Sequence, residues 1–217
     1  MKSFLIIGMG SLGHHLVAEL DKQSCEIMAV DINEAKLDGL KTDFKNVVST
    51  PVCDCTNRAV LQGLGVEDFD VCFVCIEDYF QACLEITDLL KELGAKKIYS
   101  TANRQVEEKF LLRSGADKII YPERDICRRI ANVECAERIS DYINVSDNFS
   151  ICEIEPVKKW IGKTVLDLDF RNRYNLNIIA YKKNGTAYPI PNADYVFSLD
   201  EHLLVLGNPK EIEKILK

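Results

Sequence analysis

The first thirty-one residues limit this chain more than any other part of it. Phe4-Leu5-Ile6-Ile7 is an apolar run of strand type that leads straight into Gly8-Met9-Gly10-Ser11-Leu12-Gly13, a G-x-G-x-x-G turn. His14 to Leu20 then reads as a helix, with Leu12, Leu16 and Leu20 four apart on one face. A second strand pattern, Cys25 to Val30, ends in Asp31. Strand, glycine turn, helix, strand and acid together make a dinucleotide-binding fingerprint in its required context. Gly8 permits the tight turn, Gly10 lets a pyrophosphate approach the backbone, and Gly13 lets the helix pack closely on the sheet. N–H groups of the first helical turn then face the phosphates. The helix dipole adds only about 0.3–1 kcal/mol per charge, so hydrogen bonds and shape must supply the rest. Asp31 lies eighteen residues past Gly13, where its carboxylate can accept both ribose hydroxyls and would repel a 2′-phosphate.

The pattern repeats along the chain. Asn33 is an N-cap candidate for a helix over 34–44, and Val47 to Val52 reads as the third strand. Cys53-Asp54-Cys55-Thr56 follows, with a helix over 57–64. Asp54 can hydrogen-bond an adenine edge, and Asp54 or Thr56 can equally cap that helix. Asp70 to Ile76 is apolar on both faces, as a central parallel strand should be, and Glu77 and Asp78 close it. A helix over 80–93 stops at Gly94. Lys97 to Ser100, with Thr101-Ala102-Asn103 as its rim, and Lys118 to Tyr121 are the fifth and sixth strands, flanking a helix over 106–114. Six strands alternating with helices give an α/β, Rossmann-type doubly wound parallel sheet, whose ligands sit at the carboxyl ends of the strands. The candidate nucleotide contacts are Gly8, Met9, Gly10, Ser11, Leu12 and Gly13 in the turn, Asp31 and Ile32 after the second strand, Asp54 and Cys55 after the third, Ile76 and Glu77 after the fourth, and Asn103 after the fifth.

Pro122 to Ile139 reads as one further helix, with Ile126, Ile130, Val133 and Ile139 as an apolar stripe. The sheet is already complete, so the stripe covers its own domain or, as we expect, a partner subunit. Asp141 to Phe149 reads as a polar hinge. A second module follows with strand patterns at 151–155, 176–181 and 202–207, a helix over 163–174, an Asn184-Gly185 hairpin signal and a closing helix to Leu216. We therefore place a nucleotide-binding domain at 1–140 and a small α/β domain of βαβββα pattern at 141–217.

The net charge of −7 opposes nucleic-acid binding, which needs a basic face. No apolar run approaches the ~20 residues that span a bilayer, and we expect no signal peptide. Nine cysteines, an odd number scattered through apolar segments, suit a reducing cytosol. Cys72 and Cys75 stand three apart on a strand, so they point to opposite faces and cannot chelate together.

Beyond the opening motif, Ala29-Val30-Asp31-Ile32-Asn33, Gly115-Ala116-Asp117-Lys118-Ile119-Ile120-Tyr121-Pro122-Glu123 and the stretch from Ile161-Gly162-Lys163 to Leu168 resemble the cytosolic regulators of bacterial potassium transport of the Trk/Ktr type. These consist of an RCK N-terminal domain followed by an RCK C-terminal domain. The resemblance implies ATP, ADP or NAD(H) in the first domain, with Asp31 on the adenosine ribose. It implies homodimers, commonly in an eight-subunit ring, on a membrane-embedded potassium transporter at the inner face of the cell membrane. The acid matching Glu123 holds a divalent cation, Mg²⁺ or Ca²⁺, in some members. In some, the C-domain dimer binds cyclic di-AMP, with Arg171, Ile178 and Pro191 as the region to watch here. Many members carry Arg just after the second glycine, where this chain has Ser11, which moves the expectation towards NAD(H) or a diphosphate.

The competing reading is an NAD(H)-dependent oxidoreductase. It needs an acid/base presented to a substrate. Only His14, His15 and His202 are available as histidines, two in the first helix and one entering a strand, and no Walker-type lysine follows the glycines.

Overall fold

A computed structural model describes residues 1–135, 138–146, 148–189 and 192–216. The chain divides into two compact units, Met1–Arg124 and Asp125–Lys217.

In the first unit, β1 (Lys2–Ile7) leads into α1 (Ser11–Leu20) and β2 (Cys25–Val30), followed by the short helix α2 (Leu40–Asp43), β3 (Val47–Ser49) and α3 (Arg58–Gly63). Next come β4 (Val71–Val74), α4 (Phe80–Glu92), β5 (Ile98–Thr101), α5 (Gln105–Arg113) and β6 (Lys118–Ile120). The strands form one six-stranded sheet in the order β3-β2-β1-β4-β5-β6, every neighbouring pair parallel. Alternate residues of the same strand feed two different cores. Leu5, Ile7, Cys72 and Val74 face the layer of α3, α4 and α5. Phe4, Ile6, Phe73 and Cys75 face the layer of α1. Both faces are covered, which is why β4 and the Phe4–Ile7 part of β1 are apolar. Cys72 and Cys75 accordingly lie in different cores. Burial pushes both thiols up to about 12, so they act as small hydrophobic side chains.

The helix expected over 34–44 does not form as one piece. Asn33 caps a single 3₁₀ turn, Glu34–Lys36, its Oδ1 accepting from the Ala35 N–H at 3.1 Å. Gly39 then breaks the path with φ +78°, and only Leu40–Asp43 is α-helical. A glycine costs about 1 kcal/mol inside a helix and almost nothing in the left-handed region.

The second unit opens on α6 (Pro122–Glu134), which begins just before the division, and continues with β7 (Ile139–Ser146), β8 (Phe149–Ile154), α7 (Phe170–Tyr174), β9 (Asn177–Lys183), β10 (Thr186–Pro189), β11 (Glu201–Gly207) and α8 (Pro209–Leu216). Its five strands run antiparallel in the order β10-β9-β11-β8-β7. Asn184 and Gly185 both take positive φ and turn the β9–β10 hairpin as expected. Trp160, fully buried, donates from Nε1 to the Tyr174 hydroxyl at 3.0 Å and packs among Phe170, Tyr174 and Phe197.

Two expectations fail in this unit. The segment read as helix end and hinge is the strand β7, paired antiparallel with β8. It lies at the edge of the sheet, so its polar residues meet solvent and its pattern looks like a loop. The helix expected from Lys163 begins only at Phe170. Thr164 and Asp167 exchange hydrogen bonds, N–H to Oδ2 at 3.0 Å and Oγ1 from N–H at 2.9 Å, but Asp169 then takes φ +43°, a left-handed conformation that no α-helix runs through, so α7 starts only after it.

Glycine packing yields a direct test. A Cβ on Gly13 would run into the Gly8 carbonyl oxygen, whereas one on Gly63, near the end of α3, meets nothing within 4 Å. Gly13→Ala should lose about 1–3 kcal/mol of stability, and Gly63→Ala should be neutral or gain about 0.4–1 kcal/mol. Urea unfolding of the two variants measures both.

Candidate nucleotide-binding site

Parallel pairing brings the carboxyl ends of β1, β2 and β4 to one rim, with Ile7 beside Val30 and Val74. Since β1 connects outward to β2 while β4 lies on its other side, a crevice opens there. It encloses about 900 Å³ and is lined from the β1 turn by Gly8, Gly10 and Ser11, and from the β2 end by Asp31, Ile32 and Lys36. Cys53 to Thr56 line it after β3, and Cys75 to Tyr79 with the first turns of α4 line it after β4.

The three glycines differ in what surrounds them. Gly8 has φ +97°, and a Cβ there would sit 2.6 Å from the Cys75 carbonyl oxygen. Gly10 is the N-cap of α1, and a Cβ there would meet nothing within 4 Å. The open side of the turn is therefore at Gly10, where a pyrophosphate can reach the backbone. No side chain caps α1, so the N–H groups of its first turn, Ser11 to Gly13, are available to an anion.

Asp31 shapes this turn. It is only 7% exposed. Its Oδ2 accepts the Met9 N–H at 2.7 Å and its Oδ1 accepts the Asn33 N–H at 2.8 Å. Each oxygen retains a lone pair for a ribose hydroxyl. Lys36 Nζ stands 3.8 Å from Oδ2. Asp54 is exposed and accepts both the Thr56 N–H at 2.9 Å and the Thr56 hydroxyl at 2.7 Å. These bonds hold its carboxyl below the usual range. The cap of α3 is instead Asn57, whose Oδ1 accepts from the Ala59 N–H at 2.9 Å, so neither Asp54 nor Thr56 fills the capping role expected of them.

Of the residues singled out in the sequence, Gly8, Gly10, Ser11, Asp31, Ile32, Asp54, Cys55, Ile76 and Glu77 line the crevice. Met9, Leu12, Gly13 and Asn103 do not. Met9 turns its side chain into the α1-side core, joined there by Leu12. Asn103 acts one step back, donating from Nδ2 to the Glu77 carbonyl at 2.6 Å. Glu123 is exposed at the start of α6. Among the described residues no group of three or more His, Cys, Asp or Glu converges to hold a metal ion. Sequence reasoning missed Lys36, Tyr79, Gln81 and Glu85. Gln81 and Glu85 are one turn apart on α4, so helical spacing from the β4 rim was the signal that would have found them.

Residues 4–122 match the TrkA-N domain and residues 152–217 the TrkA-C domain. The Ktr system potassium uptake protein C of Bacillus subtilis (strain 168) is 35% identical over 217 residues, 100% of this chain and 96% of that one. The chain belongs to the Ktr potassium uptake family. The Ktr system potassium uptake protein A of the same organism is 32% identical over 213 residues, 98% of this chain and 95% of that one. Among solved structures, the GsuK channel bound to NAD superposes with a TM-score of 0.67 at 19% identity, over 97% of this chain and 38% of that one. The Ktr-family chain thus spans well under half of that protein, and the likeness is one of fold. No described helix of this Ktr-family chain is long and apolar enough to cross a membrane.

One buried acid steadies the rim and is testable. Glu107, in the first turn of α5, is 5% exposed. Burial pushes its carboxyl up, but the Arg104 Nε bond at 2.7 Å and the N–H groups of Asn103 and Arg104 at 2.9 and 3.0 Å outweigh that, and the net shift is downward. A lowered folded value means stability that is present above the ordinary glutamate range and is lost as pH falls through the folded value. Glu107→Gln should cost about 1–3 kcal/mol at neutral pH. The variant should lose less stability than the parent between pH 7 and pH 4, as read by urea unfolding at each pH.

Proposed function

We propose that the protein is a cytosolic regulatory subunit that gates a membrane-embedded potassium transporter, and that an adenine nucleotide in the β1–β2–β4 crevice, NAD(H) or ADP/ATP, drives the switch. The observation that carries this reading is the open backbone at Gly10 beside the Asp31 carboxylate, in a chain that matches potassium uptake proteins along nearly their whole length. The adenosine ribose lies on Asp31, the pyrophosphate on the first turn of α1, and the adenine beside Asp54 and Cys55. Ser11 offers a hydroxyl where an arginine would reach a terminal phosphate, which favours a dinucleotide or a diphosphate. A divalent cation, Mg²⁺ or Ca²⁺, held through Glu123 would draw further ligands from the phosphates.

The regulator acts as an oligomer, a homodimer and then a ring. Ile126 and Ile130 of α6 are 61% and 55% exposed, an apolar pair that suits a second copy of the chain. The cyclic di-AMP expectation for the second unit rests on Arg171 and Ile178, with Pro191 outside the described residues. Association with the membrane runs through the transporter. The chain is a regulator and not an oxidoreductase on this reading, and the described residues lining the crevice include no histidine to serve as acid/base.

Two ligands with unequal affinities for two ring shapes shift the balance by that inequality, typically about 1–3 kcal/mol. Gly10→Val fills the open side of the turn without touching the core. It should weaken nucleotide binding at least about tenfold by titration calorimetry with ATP, ADP, NAD⁺ and NADH, while the melting temperature of the free protein holds. In vesicles containing the transporter, the same variant should remove the nucleotide dependence of potassium flux. Unchanged affinities, or nucleotide-independent flux with the parent protein, would contradict the reading.

A further inference from the structure

The two halves of the crevice carry different charge. On the β2 side, Asp31 is held by two backbone N–H groups and faces Lys36, and Asp54 is held by Thr56. On the β4 side lie Glu77, Asp78 and Glu85, with Tyr79 and Gln81 between them. Gln81 Nε2 donates to Glu85 at 2.8 Å. Lys36 is the one Lys or Arg among the described lining residues, and it belongs to the opposite half. Glu77 is half-buried, and Asn103 pins its backbone carbonyl at the rim. Tyr79 is 68% exposed at the same rim.

A dinucleotide with its adenosine on the β2 side and its pyrophosphate over Gly10 lays its second ring on the β4 side. We propose that this acidic half selects a cationic ring, so that the protein binds NAD⁺ in preference to NADH. The inference rests on the nucleotide reading above and adds to it the redox form of the ligand. NAD⁺ and NADH differ at that ring by one positive charge, and the rest of the molecule makes the same contacts. Three carboxylates favour the cation, and the Tyr79 ring can face it. No electron transfer is involved: the crevice distinguishes the two forms and leaves them unchanged. Asp78 and Glu85 are exposed, so salt screens part of the effect.

The test is titration calorimetry on the full chain with NAD⁺, NADH and ADP at low and high salt. NAD⁺ should bind about tenfold tighter than NADH at low salt, and the ratio should shrink at high salt. In the triple variant Glu77→Gln, Asp78→Asn, Glu85→Gln, shown folded by its melting temperature, the ratio should approach one. Equal affinities for NAD⁺ and NADH in the parent protein, with ADP still bound, would overturn charge selection and leave the nucleotide reading standing. An unchanged ratio in the triple variant would overturn it as well. Binding of none of the three would overturn both.

Discussion

The nucleotide crevice is built around one carboxylate. Asp31 is nearly buried, and each of its oxygens accepts a backbone N–H, from Met9 and from Asn33. The first bond ties the end of β2 to the glycine turn after β1, and the second fixes the path that leaves β2. Gly8 closes the same corner by donating its N–H to the Val30 carbonyl at 2.8 Å. The turn is therefore held from behind, with its open side at Gly10 facing the crevice. A ligand that adds its ribose to Asp31 joins a group already positioned by the fold, which lowers the ordering cost of binding.

The parallel sheet was legible because its signals are redundant. Most strands of the first unit are short apolar runs followed by a turn residue and a helix, and the six strands agree with one another. Gly8, Gly10 and Asp31 were legible for a related reason, since their spacing has a mechanism. Local competition hid the rest. Gly39 split a helix that periodicity alone would continue, and the left-handed backbone of Asp169 delayed another to Phe170. The edge strand β7 carries polar residues where a central strand would not, so its pairing with β8 depends on a neighbour distant from any local signal. In the crevice, Lys36, Tyr79 and Glu85 arrive from a 3₁₀ turn, a loop and a helix, and no sequence motif joins them.

A single sequence also places two differently built units in series. The first buries its sheet on both sides and leaves one rim open for a ligand. The second gathers Trp160, Phe170, Tyr174 and Phe197 under an antiparallel sheet. A regulator benefits from that division, because a ligand held by one unit need not disturb the packing of the other. The exposed isoleucines of α6, just past the division, mark where ligand state and assembly would meet on the proposed reading.

The central claim is that a nucleotide pyrophosphate rests on the turn that Asp31 holds. The most direct measurement is amide chemical-shift mapping of the isotope-labelled protein during titration with ADP. The account predicts saturable shifts concentrated at Gly10, Ser11, Leu12 and Gly13, with Met9 and Asn33 following as the Asp31 carboxylate takes on the ribose. Saturable shifts located elsewhere in the protein, with these six amides unmoved, would contradict it.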